Sequence, residues 1–71
     1  MPVVVTAEMV ASVHSVAVEP GERVDAGVTL VVLESMKMEI PVLAEWAGVI
    51  NEVFVEEGDV VQEGDALVSF E

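Results

Sequence analysis

Apolar residues along this chain come in short runs, and most of them are valine. Val3-Val4-Val5, Val16-Ala17-Val18, Val31-Val32-Leu33 and Val53-Phe54-Val55 stand between acidic and glycine-containing segments. Eighteen of the 71 residues are Val, a side chain that is stiff at χ1 and packs well on a pleated sheet. In Val16-Ala17-Val18 and Val53-Phe54-Val55 the valines recur at every second position, the spacing that puts them on one face of a strand. Glycines at 21, 27, 48, 58 and 64 punctuate the runs. No stretch of a dozen residues keeps a 3.6-residue apolar period, so no long helix is expected. The pattern predicts eight short strands, over 3–8, 12–19, 23–25, 28–35, 39–45, 49–56, 60–62 and 66–71. Glu19-Pro20-Gly21-Glu22 and Glu56-Glu57-Gly58-Asp59 read as turns that place Gly where φ is positive. Gly27 and Gly64 mark the turn before the final strand of each group of four.

The eight strands are two sets of four. Shifting the sequence against itself by 37 positions lays residues 3–34 on residues 40–71 without a gap, and 12 of the 32 pairs are identical. A Val-rich chain yields some matches by chance. The pairs Gly21/Gly58 and Gly27/Gly64, with Glu8/Glu45, Glu19/Glu56 and Glu34/Glu71, are harder to obtain that way. One unit of this length cannot bury its apolar face alone, but two copies bury each other's. The expected fold class is all-β: a flattened barrel or sandwich of two four-stranded halves related by a pseudo-two-fold axis. Val16, Val18, Val24 and Leu30 are expected to face Val53, Val55, Val61 and Leu67 in one core, with Val13, Val32 and Ile50 nearby. The whole of 1–71 reads as a single domain.

Charge narrows the partners. Fourteen carboxylates stand against two cations, a formal net charge of −12, and there is no cysteine. Such a chain repels nucleic acid and anionic membrane surfaces. It can form neither disulfides nor thiolate metal sites. An apolar fraction of 54% is too high for a disordered chain, and no apolar run reaches the length of a membrane span. Met1-Pro2-Val3-Val4-Val5 lacks the basic start of a secretion signal, so a soluble, cytoplasmic monomer is expected. The acids gather at the turns, either as a solvated surface that keeps an apolar chain apart from its copies or as an acidic face that steers a basic partner.

The joint between the repeats, Ser35-Met36-Lys37-Met38-Glu39, has no counterpart within them. Its middle residue is the only lysine in the protein. With a strand on either side, the joint should be a tight hairpin turn with Lys37 near the pseudo-two-fold axis and the chain ends close together elsewhere. Methionine is unusual at such a tip, where Gly, Asn, Asp, Pro or Ser is the rule. Exposed, flexible Met side chains suit recognition by a partner. A lysine raised on a rigid turn suits covalent chemistry on its amine, for which arginine is no substitute.

Glu34-Ser35-Met36-Lys37-Met38-Glu39 resembles the attachment motif of biotinyl domains, the carrier part of biotin-dependent carboxylases, within the biotinyl/lipoyl family. The resemblance extends over nearly the whole chain. Gly21 with Glu22, Gly27, and Gly58 with Asp59 match that family's turns. The resemblance implies a flattened barrel with biotin joined covalently to Lys37. It also implies that a biotin protein ligase recognises Glu34, Ser35, Met36, Met38 and Glu39. A biotin carboxylase would load the biotin and a carboxyltransferase unload it onto an acceptor such as an acyl-CoA, the domain itself catalysing nothing. The length is similar to that of stand-alone attachment proteins. Position 35 is Ser where the family usually has Ala, the gapless repeat leaves no room for the protruding thumb of some members, and no Ala/Pro-rich linker is expected before the domain. The implied division of labour leaves deprotonation of the amine to the ligase.

A lipoyl carrier with lipoate on Lys37 is the first alternative. Lipoyl domains typically have Asp before the lysine, and Met on both sides favours biotin. An unmodified interaction module, binding through its Met pair and acidic face, is the second. One histidine and four serines without an adjacent base give no basis for an enzyme. His14 is expected on a strand surface, Trp46 as a cap on one end of the core, and Arg23 in surface contact with nearby acids. A metal site is not expected, because the carboxylate spacing matches no cation-binding loop.

Overall fold

The computed structural model describes residues 3–71 and is built entirely of strands. In chain order these are β1 (Val3–Thr6), β2 (Ala11–Val16), β3 (Arg23–Val24), β4 (Thr29–Ser35), β5 (Met38–Leu43), β6 (Gly48–Val53), β7 (Val60–Val61) and β8 (Ala66–Phe70). They form two antiparallel four-stranded sheets, ordered β1-β8-β6-β3 and β5-β4-β2-β7. Advancing each label of the first sheet by one repeat turns its order into that of the second. The pseudo-two-fold therefore exchanges the sheets. Each sheet draws two strands from each half, so the halves interlock rather than stack as two separate units.

The same symmetry runs through the backbone hydrogen bonds. Gly27 N–H donates to the Ala44 carbonyl at 2.8 Å, and its mate Gly64 donates to Ala7 at 2.9 Å. Gly21 donates to Ile50 at 2.7 Å, and Gly58 to Val13 at 2.9 Å. Gly21 and Gly58 take φ of 87° and 94°, the left-handed region open to glycine without a Cβ clash. Each of these two turns is also held by a side chain. Glu19 N–H donates to Glu22 Oε1 at 3.1 Å, and Glu56 N–H to Asp59 Oδ2 at 2.8 Å.

Burial follows the repeat. Val13, Val18, Val24, Leu30 and Val31 are buried, and so are their mates Ile50, Val55, Val61, Leu67 and Val68. Leu33 and its mate Phe70 complete the core, with Ala7, Ala11 and Ala44 filling its margins. Three expected core positions lie elsewhere: Val16 and Val53 are partly buried at its edge, and Val32 is only half-buried because β4 turns Val31 and Leu33 inward. Trp46 covers Phe70, with ring centroids 5.5 Å apart.

Seven of the eight strands end sooner than the alternation predicts, β2 and β6 by the most, three residues each. Residues 17–19 and 54–56 leave one sheet to cross to the other, with Val18 and Val55 still buried, so alternation outlasts the ladder. Arg23 also departs from expectation. Among the described residues no carboxylate lies within 4 Å of it, because it stands exposed on a two-residue edge strand. Met1 and Pro2, part of the stretch read for a secretion signal, lie outside the described residues.

Candidate functional site

The joint between the repeats is tighter than its five residues implied. Strand pairing continues to Ser35 opposite Met38, leaving Met36 and Lys37 alone as the loop. Both have positive φ, 53° and 67°. Two left-handed central residues make a type I′ turn, whose twist matches that of the flanking strands and whose preferred sequence is Asn-Gly. Among the described residues these are the non-glycine positions with positive φ. Each holds a conformation that costs an ordinary L-residue about 1–2 kcal/mol. The fold would be served better by other residues here, so Met36 and Lys37 answer to something beyond the fold.

The surroundings of the turn are open. Met36 is 91% exposed and Met38 64%, so neither folds back onto the sheet. Lys37 is exposed between them. The hairpin belongs wholly to one sheet. Its symmetry mate falls at the ends of the chain in the other sheet, where Val3 pairs with Phe70. Lys37 is thus off the pseudo-two-fold axis, contrary to expectation, because that axis runs between the sheets.

Glu34 and Glu39 stand directly opposite each other across β4 and β5. Ser35 is half-buried at the end of β4. The Glu39 carboxylate lies 3.7 Å from Nε2 of His14, on β2. Among the described residues no carboxylate oxygen comes within 4 Å of Lys37 Nζ. The structure therefore gathers Glu34, Ser35, Met36, Lys37, Met38 and Glu39 at one end of one sheet. It adds His14, which sequence reasoning had set down as a plain surface residue. Its only signal there was being the single histidine. No group of three or more potential metal ligands occurs among the described residues. A groove between edge strands β1 and β5, lined by Val4, Met9, Ile40, Leu43 and Trp46, follows β5 away from the turn.

A rigid sandwich that offers its one lysine on a strained, uncovered turn has the build of a carrier. A carrier holds a covalently attached group and presents it to the active sites of other proteins. The family model described as "Biotin-requiring enzyme" matches residues 1–70, and the chain belongs to this biotin/lipoyl family. The chain is 56% identical over 63 residues to a biotinylated protein TB7.3 homolog of Mycobacterium leprae, covering 89% of each chain. A solved single-chain, multi-domain long-chain acyl-CoA carboxylase superposes on 97% of the chain with a TM-score of 0.90 and 39% identity. The match takes up 7% of that enzyme's length. The lipoyl domain of the 2-oxoglutarate dehydrogenase complex from Azotobacter vinelandii superposes on 87% of the chain, and 78% of its own, with a TM-score of 0.77 and 35% identity. Domains of this kind thus occur both as small separate chains and inside carboxylases.

Proposed function

We propose that this protein is a biotin carrier in which Lys37 is the acceptor of the biotin. The observation that carries the reading is the turn itself: the sole lysine, in a strained left-handed conformation, between two exposed methionines. A biotin protein ligase activates the carboxyl of biotin. The lone pair of neutral Nζ attacks the carboxyl carbon, the C–N amide bond forms as Nζ gives up one proton to solvent, and the activating group leaves with the electrons of its C–O bond. Exposed Met36 and Met38 give the ligase its apolar grip. Glu34, Ser35 and Glu39 form the polar margin it reads.

The lysine chain joined to biotin is a long flexible arm, and the sandwich is its post. A biotin carboxylase places carboxylate on the biotin, and a carboxyltransferase passes it to an acceptor such as an acyl-CoA. Tethering raises the local concentration of the group at both sites. The domain works as a monomer in the cytoplasm and contributes no catalytic group of its own.

The protein made together with an active ligase should bind streptavidin and gain the mass of one biotin. Lys37→Arg should do neither while melting at the same temperature. A silent wild type, or a signal that survives in Lys37→Arg, would overturn the reading. The structural likeness to a lipoyl domain favours lipoate as the second candidate, and intact mass separates the two groups. A chain left unmodified by either ligase is instead an interaction module.

A further inference from the structure

We propose that His14 is a positioning residue for the modification of Lys37, holding the Glu39 carboxylate away from the acceptor amine. The inference rests on Lys37 being the acceptor. Its starting point is an asymmetry that the repeat exposes. Both halves carry a register shift at the same place, between Val13 and Ser15 on β2 and between Ile50 and Glu52 on β6. The irregularity is therefore part of the fold, and it re-aims whichever side chain occupies it. In the sheet remote from the hairpin that residue is Asn51, whose Nδ2 donates to Ser69 Oγ at 3.5 Å within its own sheet. In the sheet that carries the hairpin it is His14. Its Nε2 reaches past β4 to Glu39 Oε1 at 3.7 Å.

The charges around it give this placement a consequence. The four strands of this sheet carry three titratable side chains: His14 on β2, Glu34 on β4 and Glu39 on β5. Glu34 and Glu39 are directly opposed, and like charges so placed repel. Glu39 is two residues from Lys37 in sequence and, if released, has a flexible ammonium as its nearest counter-charge. That pairing would favour the protonated amine, which is no nucleophile. With His14 occupying Glu39, Lys37 keeps no carboxylate within 4 Å among the described residues. His14 touches neither the amine nor the arriving group, and acts through Glu39.

The test compares wild type, His14→Asn, Glu39→Gln and the double variant. His14→Asn installs the residue that the second half already carries at this position, which protects the fold. The readout needs no ligase: acetylation of Lys37 by a limiting N-hydroxysuccinimide ester, followed on the Lys37 peptide by mass spectrometry. His14→Asn should slow acetylation by about two- to five-fold, the range of an exposed ion pair. Adding Glu39→Gln should restore the rate, whereas Glu39→Gln alone should leave it near wild type. An unchanged rate in His14→Asn overturns the proposal. So does a slowed His14→Asn that Glu39→Gln fails to rescue, or an equal acceleration by Glu39→Gln in both backgrounds. Failure of the biotin reading would show separately, as an amine that the ligase leaves untouched.

Discussion

Met36 stands where the backbone would choose asparagine. Its φ of 53° costs nothing to a residue whose short amide tolerates the left-handed region. Met36→Asn is therefore expected to stabilise the domain by about 1 kcal/mol, measured by urea denaturation, while slowing modification by the ligase. A destabilised variant would mean that Met36 makes packing contacts despite being 91% exposed. The sequence displayed this site well. An unpaired joint with one lysine stands out in the sequence itself, because the repeat accounts for everything around it. His14 was not visible. Its meaning depends on a register shift and on a partner 25 positions away, neither of which leaves a trace in local composition.

The turns that join strands across the two sheets are held in matched fashion. A side-chain carboxylate three residues on accepts the N–H of Glu19 in one and of Glu56 in the other. Asp59→Ala leaves the Glu56 N–H without that partner and should cost about 1 kcal/mol. Thermal denaturation should show Glu22→Ala losing no more than this, since its bond is longer, 3.1 Å against 2.8 Å. Strand existence was legible from valine runs and glycine punctuation, and all eight strands are present. Strand ends were not. Residues 17–19 and 54–56 keep the alternation of a strand while passing between sheets, because both the sheet and the crossing bury one side of the chain. Val32 departs from expectation for a related reason: in Val31-Val32-Leu33 every residue is apolar, so the run does not say which face is inward.

Because the symmetry exchanges two sheets over one core, equivalent substitutions should have equivalent costs. Leu30 and Leu67 are both fully buried mates. Leu30→Ala and Leu67→Ala should each lose about 2–5 kcal/mol, agreeing within about 1 kcal/mol. Unequal losses would show that the halves contribute differently to the core. A chain of 71 residues has a total stability of about 4–11 kcal/mol, so either variant stands close to unfolding. Net charge acts on the same balance. With a formal charge of −12 on a body of radius of gyration 11.1 Å, self-repulsion is screened as the Debye length shrinks from about 10 Å at 0.1 M salt to about 3 Å at 1 M. The melting temperature should rise by several degrees over that range, and a flat profile would count against repulsion as a sizeable cost. The pairing of β1 with β8 carries a different consequence, one of timing. The first strand of the domain to be synthesised waits for the last, and the β4–β5 hairpin on its own is a two-stranded element of marginal stability in water. Until β8 has been made, Lys37 has no firm post beneath it. An enzyme that reads the shape of this turn will therefore mark completed domains and pass over unfinished ones.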